Sequence, residues 1–342
     1  MNTRIPTIAA AVTLAAGLGA GVGGTIVALA DEDPDPVAAS ADTATPVAEA
    51  PSSTAALYKR VAGGVVQIRA QSGPGAATGS GFVIDEEGHV VTNQHVVDDA
   101  ERVTVVFADG DERRGRVVGT DPSTDIAVVD VEAPASELQP LRFGSETSLE
   151  VGDPLIAIGS PFGLRGTLTT GVVSALDREI RAPNGFTIQD AIQTDAALNN
   201  GNSGGPVLDS AGRVVGVAAQ IRSESGGNDG VGYAIPAGKT QDVARELIED
   251  GEVEHAYLGV SLSGEGEARV MEVVPGSPAA RAGIRANDLV TEVDGRRVTS
   301  GDQLRAAIDA KRPGEELRLT IRRAGNEREL TVELGERPAS AQ

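Results

Sequence analysis

From Val61 to Pro236 the chain is a succession of short apolar runs separated by turn residues, and no long helical period interrupts it. The runs include Val65–Ile68, Phe82–Ile84, Val90–Val91, Val103–Phe107, Ile126–Val129, Leu155–Ile158, Val172–Val173 and Val214–Ala218. Val and Ile fit a pleated, half-buried surface, and frequent Gly, Asp and Pro between runs supply turns, so this stretch is predicted to be an all-β barrel or sandwich pair. Aromatic residues make up 2% of the chain and Trp is absent, so the cores must be built from Val, Ile, Leu and Ala. The first amphipathic helix spans Ala237 to Asp250, with Pro236 at its start and Gly251 as its stop. A second unit, 256–338, mixes strands near Tyr257–Leu262, Arg269–Val274, Leu289–Val293, Glu316–Ile321 and Glu327–Glu333 with helices at Pro278–Ala282 and Gly301–Ala310. The length of 342 residues suits two such domains.

The N-terminus has a different texture. Arg4 is the only charge before Asp31, and residues 5–30 are long and apolar enough to span a bilayer. Ala28-Leu29-Ala30 also fits a small-residue cleavage site. Residues 1–30 therefore read as a signal peptide or an uncleaved membrane anchor, and either implies export. Residues 31–55, rich in Ala, Asp, Pro, Ser and Thr, read as a disordered linker. A net charge of −21 argues against nucleic acid as a partner. The absence of cysteine removes disulfides, thiolate metal sites and a thiol nucleophile.

Chemistry concentrates in Asn199-Asn200-Gly201-Asn202-Ser203-Gly204-Gly205-Pro206. Serine needs a base to become a nucleophile and N–H donors to hold the developing oxyanion. Glycines on both sides of Ser203 allow the tight turn in which such donors converge. The chain has three histidines, so candidate bases are few: His89 follows a turn and is expected to be exposed, His255 lies between the domains, and His95 sits just past a strand end in Thr92–Val97. No third ligand accompanies His89 and His95, so no metal site is expected. Asp121, Asp125 and Asp130 are candidates to orient the imidazole; Asp125 directly precedes the apolar run Ile126–Val129, where a carboxylate needs a partner. The chain order is His, Asp, Ser, which is that of chymotrypsin.

Four segments together carry a resemblance: Thr92-Asn93-Gln94-His95-Val96-Val97, Asp125-Ile126-Ala127-Val128, Gly159-Ser160-Pro161-Phe162-Gly163, and Thr194–Asn199 leading into Gly201–Pro206. They resemble the HtrA (DegP-like) serine proteases over residues 56 to 338. The resemblance implies a mainly β fold, a two-barrel chymotrypsin-like protease domain at 56–250 followed by a smaller α+β PDZ domain at 256–338. By the same resemblance His95 acts as base then acid, Asp125 orients it and Ser203 is the nucleophile. The N–H groups of Gly201 and Ser203, with Asn202 close by, form the oxyanion hole. Ala197 is the floor of the specificity pocket and Leu198, Ala218, Ala219 and Ile221 its walls, an apolar set that favours cleavage after Val, Ala, Ile or Leu. Phe162–Thr167 and Arg222–Gly230 match regulatory loops, Arg178 a relaying arginine, and the assembly is a homotrimer. No cofactor is implied.

In the second unit Tyr257-Leu258-Gly259-Val260, Pro275–Ile284, Asn287-Asp288-Leu289-Val290 and Val293-Asp294-Gly295 resemble a PDZ domain. Its Leu-Gly turn presents N–H groups to a terminal carboxylate, and the following strand offers an edge to an added peptide strand. Tyr257, Leu258, Gly259, Val260, Leu304 and Ile308 are the expected peptide contacts. The chain thus reads as a protease acting on unfolded proteins and regulated by C-terminal peptides. The competing reading is a peptide-binding chaperone or scaffold with a dead protease fold, against which the intact triad argues. A phosphate-binding use of the Gly-rich loop fails because no Lys follows the glycines.

Overall fold

The computed structural model describes residues 53–338 apart from 74, 161–162, 222–229 and 264–265, and for Gln220 and Ile221 it describes the backbone only. The expectations for 1–30 and for most of 31–55 lie outside these residues. The last part of the expected linker does not: α1 (Thr54–Val61) begins there, with Ser53 Oγ accepting from Ala56 N at 3.2 Å as its N-cap. Only Leu57 and Val61 of this helix are buried, too few to show a period in the sequence.

Among the described residues the chain then builds two closed antiparallel barrels. The first contains β1 (Val65–Ser72), β2 (Gly75–Val83), β3 (His89–Asn93), β4 (Arg102–Val106), β5 (Glu112–Asp121) and β6 (Ile126–Val131), in the spatial order β1-β2-β3-β6-β5-β4. The second contains β7 (Pro154–Gly159), β8 (Thr167–Arg181), β9 (Thr187–Thr194), β10 (Pro206–Leu208), β11 (Val214–Ile221) and β12 (Gly232–Pro236), ordered β10-β11-β12-β9-β8-β7. Closure leaves neither sheet with an open edge. Nearly all of β6 is buried because one of its faces looks into the barrel while the other meets the rest of the domain. The sequence reading missed β5, β9, β10 and β12. The run Glu112–Arg116 carries too many charges to look like a strand, and β10 is too short.

A four-residue helix, α2 (Gln94–Val97), follows β3 and carries His95. Helix α3 (Ala237–Asp250) occupies the expected span; it ends where Gly251 N donates to Leu247 O at 3.1 Å. Val243, Ala244 and Leu247 are buried, and the helix packs on β5 and β6 of the first barrel and on β11 and β12 of the second.

The remaining residues form the smaller unit. Short pairs β13 (Ala256–Tyr257) with β20 (Gly335–Glu336) and β14 (Val260–Leu262) with β15 (Val270–Val273) flank a sheet ordered β17-β16-β18-β19, made of β16 (Leu289–Val293), β17 (Arg296–Arg297), β18 (Glu316–Arg323) and β19 (Asn326–Glu333). Two helices, α4 (Pro278–Arg281) and α5 (Gly301–Asp309), complete it. Its core joins Leu258, Ile284, Val290, Leu304, Leu317 and Ile321.

Candidate active site

Asp125 sits on the turn between β5 and β6 with a φ of 58°, a left-handed conformation that Asp tolerates better than most residues. Its backbone carbonyl accepts from Asn93 Nδ2 at 2.8 Å and from Gln94 N at 3.0 Å. Its carboxylate, 0% exposed, accepts from His95 Nδ1 at 2.8 Å and from His95 N at 3.0 Å. The imidazole is therefore held through ring and backbone alike, with Nε2 left to act. The other two candidate carboxylates are engaged elsewhere. Asp130 pairs with Arg116 at 2.6 Å, and Asp121 with His255 Nε2 at 2.8 Å. Burial pushes the Asp121 carboxyl up, but the bond and charge of His255 and the hydroxyls of Thr124 and Ser123 outweigh it and leave it below the usual carboxylate value. His89 is not exposed as expected. Its side chain is 13% accessible and closes the β2–β3 turn against Asp85 Oδ2 at 2.6 Å.

Ser203 comes from the second barrel, on the loop before β10. Its Oγ donates to Ala219 O at 3.1 Å, a carbonyl next to a register shift in the β11–β12 pairing. Ser203 makes no bond to His95 here. Such bonds are often loose without substrate and tighten once it binds. The N–H groups of Gly201 and Ser203 have no acceptor among the described residues. Asn202 departs from the expected donor set, because its N–H closes a turn on Asn199 O at 2.9 Å. Its side-chain Nδ2 reaches Ala197 O at 3.3 Å.

One residue that the sequence reading passed over holds this loop. Ser80, buried in β2, donates through Oγ to Gly201 O at 2.6 Å and through N to Ser203 O at 2.8 Å. It accepts from Ser160 N at 2.9 Å, and its own carbonyl accepts from Thr92 Oγ1 at 2.7 Å. Two carbonyls of the Ser203 loop, those of Gly201 and Ser203, are thus fixed on the first barrel's side. The signal was present: Thr78-Gly79-Ser80-Gly81 flanks a serine with glycines as the nucleophile loop does.

A cavity of about 300 Å³ joins His95 and Ser203 to Pro183, Leu198, Ala218 and Ala219. Ala197 is not its floor. The segment alternates, with Asp195 and Ala197 exposed and Ala196 and Leu198 buried, so Ala197 points away. The side chain of Ile221 lies outside the described residues, as do Phe162 and nearly all of the loop Arg222–Gly230. Arg178 lies on β8, where its Nε donates to Gln193 Oε1 at 3.1 Å.

Between the smaller unit and the protease domain a second, larger cavity of about 1600 Å³ is lined by Tyr257, Leu258, Gly259, Val260 and Ile308 and by residues of β9 and α3. Gly259 has a φ of 82°, and a Cβ there would stand 2.2 Å from the Ser277 Cβ, so only glycine fits the turn. The N–H groups of Leu258 and Gly259 have no acceptor among the described residues. Leu304 does not face this groove; it is 0% exposed and belongs to the core, and α5 instead presents Arg305 and Ile308, one turn apart. The Asn287-Asp288 signature has a structural reason. Buried Asp288 is clasped by Arg323 through two bonds of 2.7 Å.

The pattern of the trypsin-like peptidase domain matches residues 79–217, and that of the PDZ domain residues 256–334. Serine protease PepD of Mycobacterium tuberculosis is 40% identical across 95% of this chain and 76% of that protein. A probable periplasmic serine endoprotease DegP-like of Brucella suis is 41% identical across 77% of this chain, which spans only 53% of that relative's length. Among solved structures, HtrA-type protease AlgW with tripeptide aligns with a TM-score of 0.76 and 33% identity over 82% of this chain and 96% of that one. The serine endoprotease from Yersinia pestis aligns with a TM-score of 0.70 and 30% identity over 85% of this chain and 100% of that one. A trypsin-like peptidase domain followed by one PDZ domain, shared along the chain with these relatives, makes this protein a member of the HtrA family of serine proteases.

Proposed function

We propose that the chain is an exported endoprotease of unfolded or misfolded proteins, with His95 as base, Asp125 as its orienter and Ser203 as nucleophile. The observation that carries this reading is the pairing of a fixed His95–Asp125 couple with Ser203 across one cleft, beside two N–H groups without acceptors. Attack by Ser203 Oγ on a peptide carbonyl passes its proton to His95 Nε2. The resulting imidazolium is stabilised by Asp125, and the oxyanion by Gly201 and Ser203 N–H. His95 then gives the proton to the leaving amine. Export rests on the apolar span 5–30 and on periplasmic relatives; a homotrimer is part of the same reading by family membership. Among the described residues no helix is long and apolar enough to cross a membrane.

Leu198, Ala218, Ala219 and Pro183 give the cleft an apolar side beside Asn199, Asn200 and Asn202, with no carboxylate among the described lining residues to receive a basic side chain. Cleavage is expected after Val, Ala, Ile or Leu. Mass-spectrometric mapping of cut sites in digested casein checks this, and a dominant Arg or Lys pattern overturns it.

The PDZ domain takes a peptide's free carboxylate on the N–H groups of Leu258 and Gly259 and an apolar last side chain toward Ile308. A peptide ending in Val or Leu is expected to bind with micromolar-range affinity, about −8 kcal/mol, and to change casein hydrolysis about fivefold or more. The C-terminally amidated peptide is the control; equal effects from acid and amide exclude carboxylate recognition.

A further inference from the structure

Each of the three histidines is paired with an aspartate: His89 with Asp85, His95 with Asp125, and His255 with Asp121. The first pair closes a turn and the second belongs to the triad. The third joins distant parts of the chain, since His255 lies between α3 and β13 whereas Asp121 ends β5. Asp121 organises the turn that presents the catalytic aspartate. Its Oδ1 accepts from Ser123 N at 3.0 Å and Ser123 Oγ at 2.8 Å, and its Oδ2 from Thr124 Oγ1 at 2.5 Å; Asp125 comes next. Beyond the bonds that Asn93, Gln94 and His95 make to Asp125 itself, the turn is held from outside at two further points. Asn184 Nδ2, on the β8–β9 turn, donates to Pro122 O at 2.7 Å, and His255 Nε2 donates to Asp121 Oδ2 at 2.8 Å. The backbone carbonyl of His255 accepts from Arg337 N at 2.9 Å, just past β20 of the PDZ unit. One residue is therefore bonded by its side chain to the base of the Asp125 turn and by its backbone to the second domain.

We infer that His255 is a positioning residue of the protease: through Asp121 it fixes the turn that aims Asp125 at His95, and it ties that turn to the PDZ domain. A covalent tether leaves domain placement free, and the His255–Asp121 bond removes that freedom at the point where the triad is most sensitive to it. The inference rests on the triad as read above. A passive surface staple would give stability alone; a positioning role requires that loss of the bond disturb the His95–Asp125 geometry in a protein that remains folded.

The test uses the full chain and three variants of His255. His255→Gln places an amide nitrogen where Nε2 stood, His255→Asn offers an amide too short to reach, and His255→Ala removes the group. The first readout is the low-field proton resonance of the His95 Nδ1–H···Asp125 bond, assigned by elimination against His89→Gln and the His255 variants, since all three histidines are paired with aspartates. The second is the separation of kcat from KM on a casein-derived peptide, with melting temperature as the control. His255→Asn and His255→Ala are expected to displace the His95 proton signal and lower kcat about tenfold or more with little change in KM, while His255→Gln restores most of both. An unmoved proton signal with normal kcat in folded His255→Asn overturns the inference, as does a Gln variant no better than Asn. If Ala unfolds, the Gln–Asn pair decides. The resonance needs no turnover, so an inactive wild-type protein that shows the displacement supports the positioning role and refutes the protease reading instead.

Discussion

Ser203→Ala is expected to abolish casein hydrolysis, with kcat falling on the order of 10⁴–10⁶-fold. The fold should survive. Ser203 Oγ makes one hydrogen bond, to Ala219 O, in an open cleft where water replaces it, so stability should change by less than about 1 kcal/mol. Rates on a fluorogenic peptide and a thermal melt separate the two effects. His95→Ala and Asp125→Ala should each be severely impaired, and neither should add its full cost to Ser203→Ala, because the three act as one unit. Retention of near-normal activity in Ser203→Ala would show that the nucleophile lies elsewhere.

Gly204→Ala is expected to give the next largest loss, at a residue without a side chain of its own. Gly204 has a φ of 83°, where an L side chain costs about 1–2 kcal/mol. An added Cβ would stand 2.3 Å from Ser80 O, 2.4 Å from Thr92 Oγ1 and 2.9 Å from Asn93 N. Two of these three atoms are backbone, and Thr92 Oγ1 is itself bonded to Ser80 O at 2.7 Å, so the first barrel cannot yield cheaply. The nucleophile loop must withdraw instead and carry Ser203 with it. Displacement by about 1 Å costs roughly 100-fold in rate. The variant should keep its β-rich circular dichroism and lose kcat at least that far. Activity near that of wild type would mean that the contact between Gly204 and Ser80 does not set the position of the nucleophile.

These contacts mark the boundary of what the residues disclose before folding. Ser203, His95 and Asp125 announce themselves because each combines a reactive group with an unusual neighbourhood: glycines around the serine, and polar residues set against apolar runs for the other two. The groups that aim them do not. Ser80 acts through two hydrogen bonds that span more than a hundred residues; the glycines beside it mark the segment as unusual but do not name such a distant partner. His255 reads as linker because the distance to Asp121 closes only when α3 has packed across both barrels. β6, an unbroken apolar run, was legible; β5 was hidden by the charges of Glu112–Arg116, and β10, though buried, by its length of three residues. Ala197 and Leu304 show the same limit at the scale of one residue. Chain position and helical spacing placed them in the right segments, but the turning of each segment, set by packing, decided which neighbour faces the cavity.

The division of the triad between barrels has a consequence for biosynthesis. His95 and Asp125 belong to the first barrel and Ser203 to the second, and α3, which packs on both, follows all three in the chain. Domains fold largely as their residues emerge during translation, N-terminal parts first. A nascent chain that has completed its first barrel therefore owns the proposed base and its orienter but not the proposed nucleophile. The serine arrives later, and the helix that straps the two halves together later still. For a protease this ordering is a built-in delay. Between the completion of β6 at Val131 and the arrival of Ser203 the growing polypeptide holds half of the site, and the full set is present only when synthesis of the protease domain is nearly finished.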